Sequence, residues 1–152
     1  MKRFLSKYSL ELLCLLLALV LMLSGCSAPG ESGAEPGGEI MWKQITMNKA
    51  MELMETEESY IILDVRRPDE FAAGHIPGAV NLPNEIIGAA ESAEDEEIKN
   101  ILPDQEQLIL VYCRSGNRSK QASEKLVKLG YTNVVEFGGI IDWPGETETN
   151  EG

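Results

Sequence analysis

Histidine is almost absent from this sequence, which has one, and cysteine is scarce, with three. Two of those cysteines, Cys14 and Cys26, fall within the first 26 residues, so the body of the chain has only Cys113 and His75. A structural zinc site of usual composition needs four Cys or His ligands and cannot be built from that pair. An internal disulfide or a redox dithiol needs a second cysteine. Positive charge is also short. Lys and Arg number 13 against 25 Asp and Glu, a formal net charge of −12. So acidic a chain is a poor partner for nucleic acid and does not lie flat on anionic lipid. Gly-rich phosphate motifs and EF-hand ligand patterns are missing too. No metal and no organic cofactor is expected.

What is present begins with a leader. Lys2, Arg3 and Lys7 precede an almost unbroken apolar run from Leu12 to Leu23, followed by Leu23-Ser24-Gly25-Cys26. The run is short for a membrane span and has the layout of a secretory signal over residues 1–25. Its LSGC ending resembles a bacterial lipobox, which implies cleavage before Cys26 and a lipid on the Cys26 sulfur. The alternative is an uncleaved anchor helix. Either way the expectation is a domain on the extracytoplasmic face, tied to a membrane. Cleavage removes three basic residues and one acidic one, moving the formal charge from −12 to −14. Ser27 to Met41 is rich in Gly, Pro, Ser and Glu and reads as a flexible tether, with ends about 20 Å apart on random-coil scaling.

From Trp42 onward, apolar patterning gives alternating strands and helices. Trp42 to Thr46 predicts a short edge strand, and Thr46 caps a helix through Ala50, Met51 and Met54. Tyr60 to Val65 and Leu108 to Tyr112 are apolar runs of the kind buried in parallel sheets. Arg66 to Ala79 reads as a loop-rich crossover, and Val80 to Leu82 as a strand stopped by Pro83. Ile86 to Leu102 predicts one or two helices, with ESAEDEE as a solvated face. Arg118 to Leu129 is a helix with Ala122, Leu126 and Leu129 on one stripe and Gly130 as its stop. Val134 to Phe137 is the last strand, and residues 147–152 read as a polar tail. The pattern is α/β, a single domain with a mostly parallel central sheet flanked by helices.

Cys113 ends the most apolar strand, and in such a fold ligands bind at the carboxyl ends of strands. The N–H groups of residues 114 to 118 can curl around its sulfur, with Gly116 and Asn117 able to take left-handed angles. Such a cradle beside a helix amino terminus favours thiolate over thiol. Between Cys113 and Gly130 five basic residues oppose only Glu124, a net +4, against −18 for the rest of the chain after the leader. Lys125 and Lys128 read as solubility charges, whereas Arg114 and Arg118 point to a small anionic ligand. A cysteine hydrolase would want a histidine base, but His75 lies in a Gly-Pro turn and reads as a structural hydrogen-bonder. Phosphoryl transfer and sulfur transfer need no such base.

At these residues the sequence resembles the rhodanese-like sulfurtransferases. The resemblance covers about residues 42–146. It rests on Leu63-Asp64-Val65-Arg66 with Glu70-Phe71, on Gly74-His75-Ile76-Pro77-Gly78-Ala79, on Cys113-Arg114-Ser115-Gly116-Asn117-Arg118-Ser119, and on Gly138-Gly139 with Trp143. It implies that Cys113 is a nucleophile carrying a persulfide, with Arg114, Ser115, Gly116, Asn117 and Arg118 as the active-site loop. It also implies a small anionic sulfur donor such as thiosulfate and a thiol or cyanide acceptor. Asp64, Arg66 and Glu70 are expected to brace the loop, and Gly138, Gly139 and Trp143 to pack. Arg118 either contacts the anion or pairs inward with Asp64 or Glu70. Related phosphatases and arsenate reductases have five residues between cysteine and arginine, whereas this loop has four, which favours a single sulfur over a tetrahedral phosphate. A tethered relay that passes sulfur to a protein acceptor is the main rival; a phosphatase or arsenate reductase is the weaker one.

Overall fold

The computed structural model describes residues 41–149. The leader, Cys26, the linker before Met41 and the last three residues lie outside the described part. Strand β1 (Lys43–Gln44), helix α1 (Met47–Thr56), β2 (Tyr60–Asp64), α2 (Pro68–Ala72) and β3 (Val80–Asn81) come first. Helices α3 (Asn84–Ala89) and α4 (Glu96–Ile101) follow, then β4 (Leu108–Cys113), α5 (Asn117–Lys128), β5 (Val134–Gly139) and a 3-10 turn at Ile140–Asp142. The five strands pair in the order β1-β5-β4-β2-β3, and every pairing is parallel.

Alternation along the strands sorts side chains to two cores. Leu63, Ile109, Val111, Cys113 and Val134 face one side, where Ile87, Ile98, Ala122 and Leu126 of α3, α4 and α5 cover them. Ile62, Leu110, Tyr112, Val135 and Phe137 face the other, against Ala50 of α1 and Ile76. Strand β4 is central because its run is apolar on both faces, so it belongs where helices cover both. That placement carries Cys113 to the middle of the sheet's carboxyl edge.

Several expected elements are trimmed or divided. The first strand is two residues long, and Thr46 caps α1 through a bond from the Lys49 N–H at 3.3 Å. The segment 86–102 forms two helices, the first beginning at Asn84; the acid run spans their link and the first turn of α4, largely exposed, with Ala93 turned into the core. The crossover holds a short helix, α2, entered through Pro68 at its first position with Asp69 and Glu70 in the first turn. Residues 147–149 are not a free tail. Glu148 and His75 exchange backbone hydrogen bonds of 2.9 Å, and Glu148 Oε1 accepts from the Gly78 N–H at 3.0 Å. A polar segment reads as solvated, but here Glu148 satisfies the His75 N–H and carbonyl with its backbone and the Gly78 N–H with its side chain.

Candidate active site

Cys113 is 1% exposed, at the point where the register between β4 and β5 shifts. Past that shift Cys113 pairs with Gly139, and the loop after Cys113 lies directly on the Gly139 backbone. A Cβ at Gly139 would come within 2.2 Å of the Arg114 carbonyl oxygen, so no larger residue fits. The loop then turns through Gly116, whose φ of 93° is left-handed, and Asn117 begins α5. Gly116 alone takes the positive φ that the sequence allowed to Asn117 as well; Asn117 is helical.

This turn aims the Gly116 N–H at Sγ, 3.1 Å away. Burial alone would push the Cys113 thiol up. Hydrogen bonding from the Ser119 hydroxyl and from the amides of Ser119, Ser115 and Gly116 outweighs it and holds the thiol below its ordinary value. Of the N–H groups expected at residues 114 to 118, those of Ser115 and Gly116 act on the sulfur, joined by Ser119 one residue beyond the predicted loop.

The two arginines part company. Arg118 forms a two-pronged pair with Glu70, Nη1 to Oε2 at 2.6 Å and Nη2 to Oε1 at 2.8 Å. That pair, with the Arg67 amide also bonded to the carboxylate, lowers Glu70 to about 2. Asp64 is not available to Arg118. Its carboxylate is fully buried and bonded to Arg66, with Nη2 to Oδ2 at 2.6 Å, and the same guanidinium reaches the Gly74 carbonyl at 2.7 Å. Asp64 and Arg66 thus tie the end of β2 to the crossover, and Glu70 ties the crossover to α5.

Arg66, Arg67, Glu70, Arg114, Arg118 and Ile141 line a cavity of about 640 Å³. Arg66 is held by Asp64, Arg67 by Asp69 and Arg118 by Glu70. Arg114, exposed, has no ion pair among the described residues and is the lining's uncompensated cation. His75 stacks on Phe71 with centroids 3.8 Å apart, and its Nδ1 lies 3.0 Å from the Phe71 carbonyl oxygen. It is engaged as a structural group.

Ser119, which closes the loop motif, and Glu136, to which the sequence assigns no role, form a buried polar pair. Ser119 is fully buried, and its hydroxyl lies 2.7 Å from Oε1 of Glu136, itself fully buried on β5. The readable signal was a single carboxylate inside an otherwise apolar strand, where a charge is expected only with a partner.

A family model described as a rhodanese-like domain matches residues 46–145. The chain is 36% identical over 80 residues to thiosulfate sulfurtransferase PspE of Escherichia coli, covering 53% of this chain and 70% of that one. It is 35% identical over 111 residues to thiosulfate sulfurtransferase GlpE of Pseudomonas entomophila, covering 70% and 92%. A solved E. coli rhodanese with anions matches with a TM-score of 0.52 and 32% identity, over 60% of this chain and 100% of that one. Two other relatives are matched over less of their length: the chain spans 65% of one from Schizosaccharomyces pombe and 59% of one from Bacillus subtilis.

Proposed function

We propose that this chain, which belongs to the rhodanese-like domain family, is a sulfurtransferase that carries sulfane sulfur on Cys113. The observation that carries the reading is the buried sulfur at the end of β4, on which the Gly116 N–H closes at 3.1 Å. Against its burial, hydrogen bonding from the Ser119 hydroxyl and from the Ser119, Ser115 and Gly116 amides holds the thiol below its ordinary value. In the first half-reaction the Cys113 thiolate attacks the outer sulfur of thiosulfate; the S–S bond breaks and sulfite leaves with the bonding pair. In the second, a thiol or cyanide attacks the outer sulfur of the persulfide, and Cys113 returns to thiolate.

The four-residue loop supports sulfur over phosphate, since the Gly116 amide closes onto Sγ itself at 3.1 Å. Arg114, the free cation of the cavity, is the donor-binding group of this account. Ile141, 62% exposed on the cavity lining, gives an apolar contact that a bulky or protein acceptor would use and cyanide would not. The test is sulfite release. Thiosulfate alone should free about one equivalent of sulfite per domain, as a single-turnover burst, and Cys113→Ser should free none. Release by the mutant would end the assignment of Cys113.

The leader supports a second proposal, that the mature domain is held at the extracytoplasmic face by lipid on Cys26. Lipid label retained by Cys26→Ser in cells would refute it; loss of label is expected.

A further inference from the structure

Three of the four guanidiniums lining the cavity are held by carboxylates, and two of those pairs also tie the fold together. Arg66 with Asp64 joins the end of β2 to the crossover, and Arg118 with Glu70 joins α2 to α5. The third pair joins no element to another. Arg67 Nε donates to Asp69 Oδ1 at 2.9 Å and Nη2 donates to Oδ2 at 2.7 Å, within the first turn of α2. Both side chains are mostly in solvent, 62% and 67% exposed. A pair so local and so wet contributes little to folding. It does engage both carboxylate oxygens, and that two-pronged geometry fixes the guanidinium's orientation. The same bonding holds the Asp69 carboxyl below its ordinary value, so Asp69 is charged at neutral pH. Glu70 does not stand in for it. Its Oε2 lies 3.7 Å from Arg67 Nε, and both its oxygens already accept from Arg118.

We propose that Asp69 is a positioning residue that sets the cavity's affinity for anions: by holding Arg67 it leaves Arg114 as the one cation open to the donor. The inference deepens the sulfurtransferase reading and rests on it. Thiosulfate enters the cavity as an anion and sulfite leaves it as one, so a second open guanidinium would bind both. Binding that the donor and the product share lowers KM without raising kcat. It also slows departure of the product, a step that limits many enzymes. Asp69 therefore weakens the hold on the donor and quickens the release of sulfite.

The first measurement is calorimetric titration of sulfite into the Cys113→Ser protein, which reads the charge of the lining without sulfur transfer. Asp69→Asn keeps the shape and removes the charge, so it should tighten sulfite binding about threefold to tenfold. With Arg67→Ala already in place, the same substitution should tighten it less than about twofold. Unchanged binding overturns the proposal. So does an equal gain in both backgrounds, which would mean only a general loss of negative charge. With Cys113 present, Asp69→Asn should lower KM for thiosulfate about threefold to tenfold, leave kcat equal or lower, and make sulfite a correspondingly stronger inhibitor. The gain should fade as salt rises. A fall in kcat with KM unchanged would mean that Asp69 merely braces α2, and would contradict the proposal. Tighter sulfite binding by Asp69→Asn, in a protein whose wild type releases no sulfite from thiosulfate, would sink the sulfurtransferase reading and leave the masking of Arg67 standing.

Discussion

Arg114 and Arg118 lie four positions apart around one turn, and the fold gives them different work. Arg118 is occupied by Glu70 through two hydrogen bonds, so its loss strands a part-buried carboxylate. Arg114 has nothing to strand. Arg114→Ala should therefore raise KM for thiosulfate, lowering kcat/KM about tenfold to a hundredfold, and leave the melting temperature nearly unchanged. Arg118→Ala should cost on the order of 1 kcal/mol after solvent screening, seen as several degrees in Tm. Rising salt should weaken thiosulfate use by the wild type more than by Arg114→Ala. Thermal melts and initial rates across a salt series check both; wild-type kinetics and salt dependence in Arg114→Ala would contradict the assignment. The sequence carried this distinction only as an open choice, since whether Asp64 or Glu70 takes Arg118 depends on Arg66 having already taken Asp64.

At the scale of elements, the bond from α2 to the start of α5 makes a prediction about acid. Glu70 is held at about 2 against an ordinary value of 4.5, chiefly by the Arg118 hydrogen bonds. A carboxyl depressed by folding stabilises fully above its ordinary value and loses that stabilisation as pH falls from about 4.5 toward 2. The stability difference between wild type and Glu70→Gln should thus be largest near pH 6 and shrink toward pH 2.5, read by urea unfolding. A difference constant over that range would mean that Glu70 does not titrate as described. The elements themselves were largely legible. The runs YIILDV and LILVY announce β2 and β4, because strands buried on both faces need no polar alternation. The stripe Ala122, Leu126 in α5 is legible for the converse reason, that one face is wet. Helix α2 is hidden in a segment that reads as a loop-rich crossover, although Pro68 with Asp69 and Glu70 after it is a start signal. Glu136 escaped because its partner Ser119 is 17 residues away, and only the pairing of Val111 with Glu136 and the seating of α5 bring them together.

For the molecule as a whole, the parallel sheet, the Gly139 contact and the α5 amino terminus converge on one sulfur atom. The family motifs made that convergence readable from local sequence. What local sequence does not hold is the charge balance of the finished site, where three of four lining guanidiniums are neutralised and one is left free. An apparent island of +4 reduces, at the cavity, to Arg114. Among the described residues no helix is long and apolar enough to cross a membrane. The account stands most directly on the intact mass of the purified domain. Treated with thiosulfate and no reducing agent, the wild type should gain the mass of one sulfur atom and lose it again to cyanide, while Cys113→Ser does neither. An unchanged wild-type mass, or a gain that survives in Cys113→Ser, would contradict it.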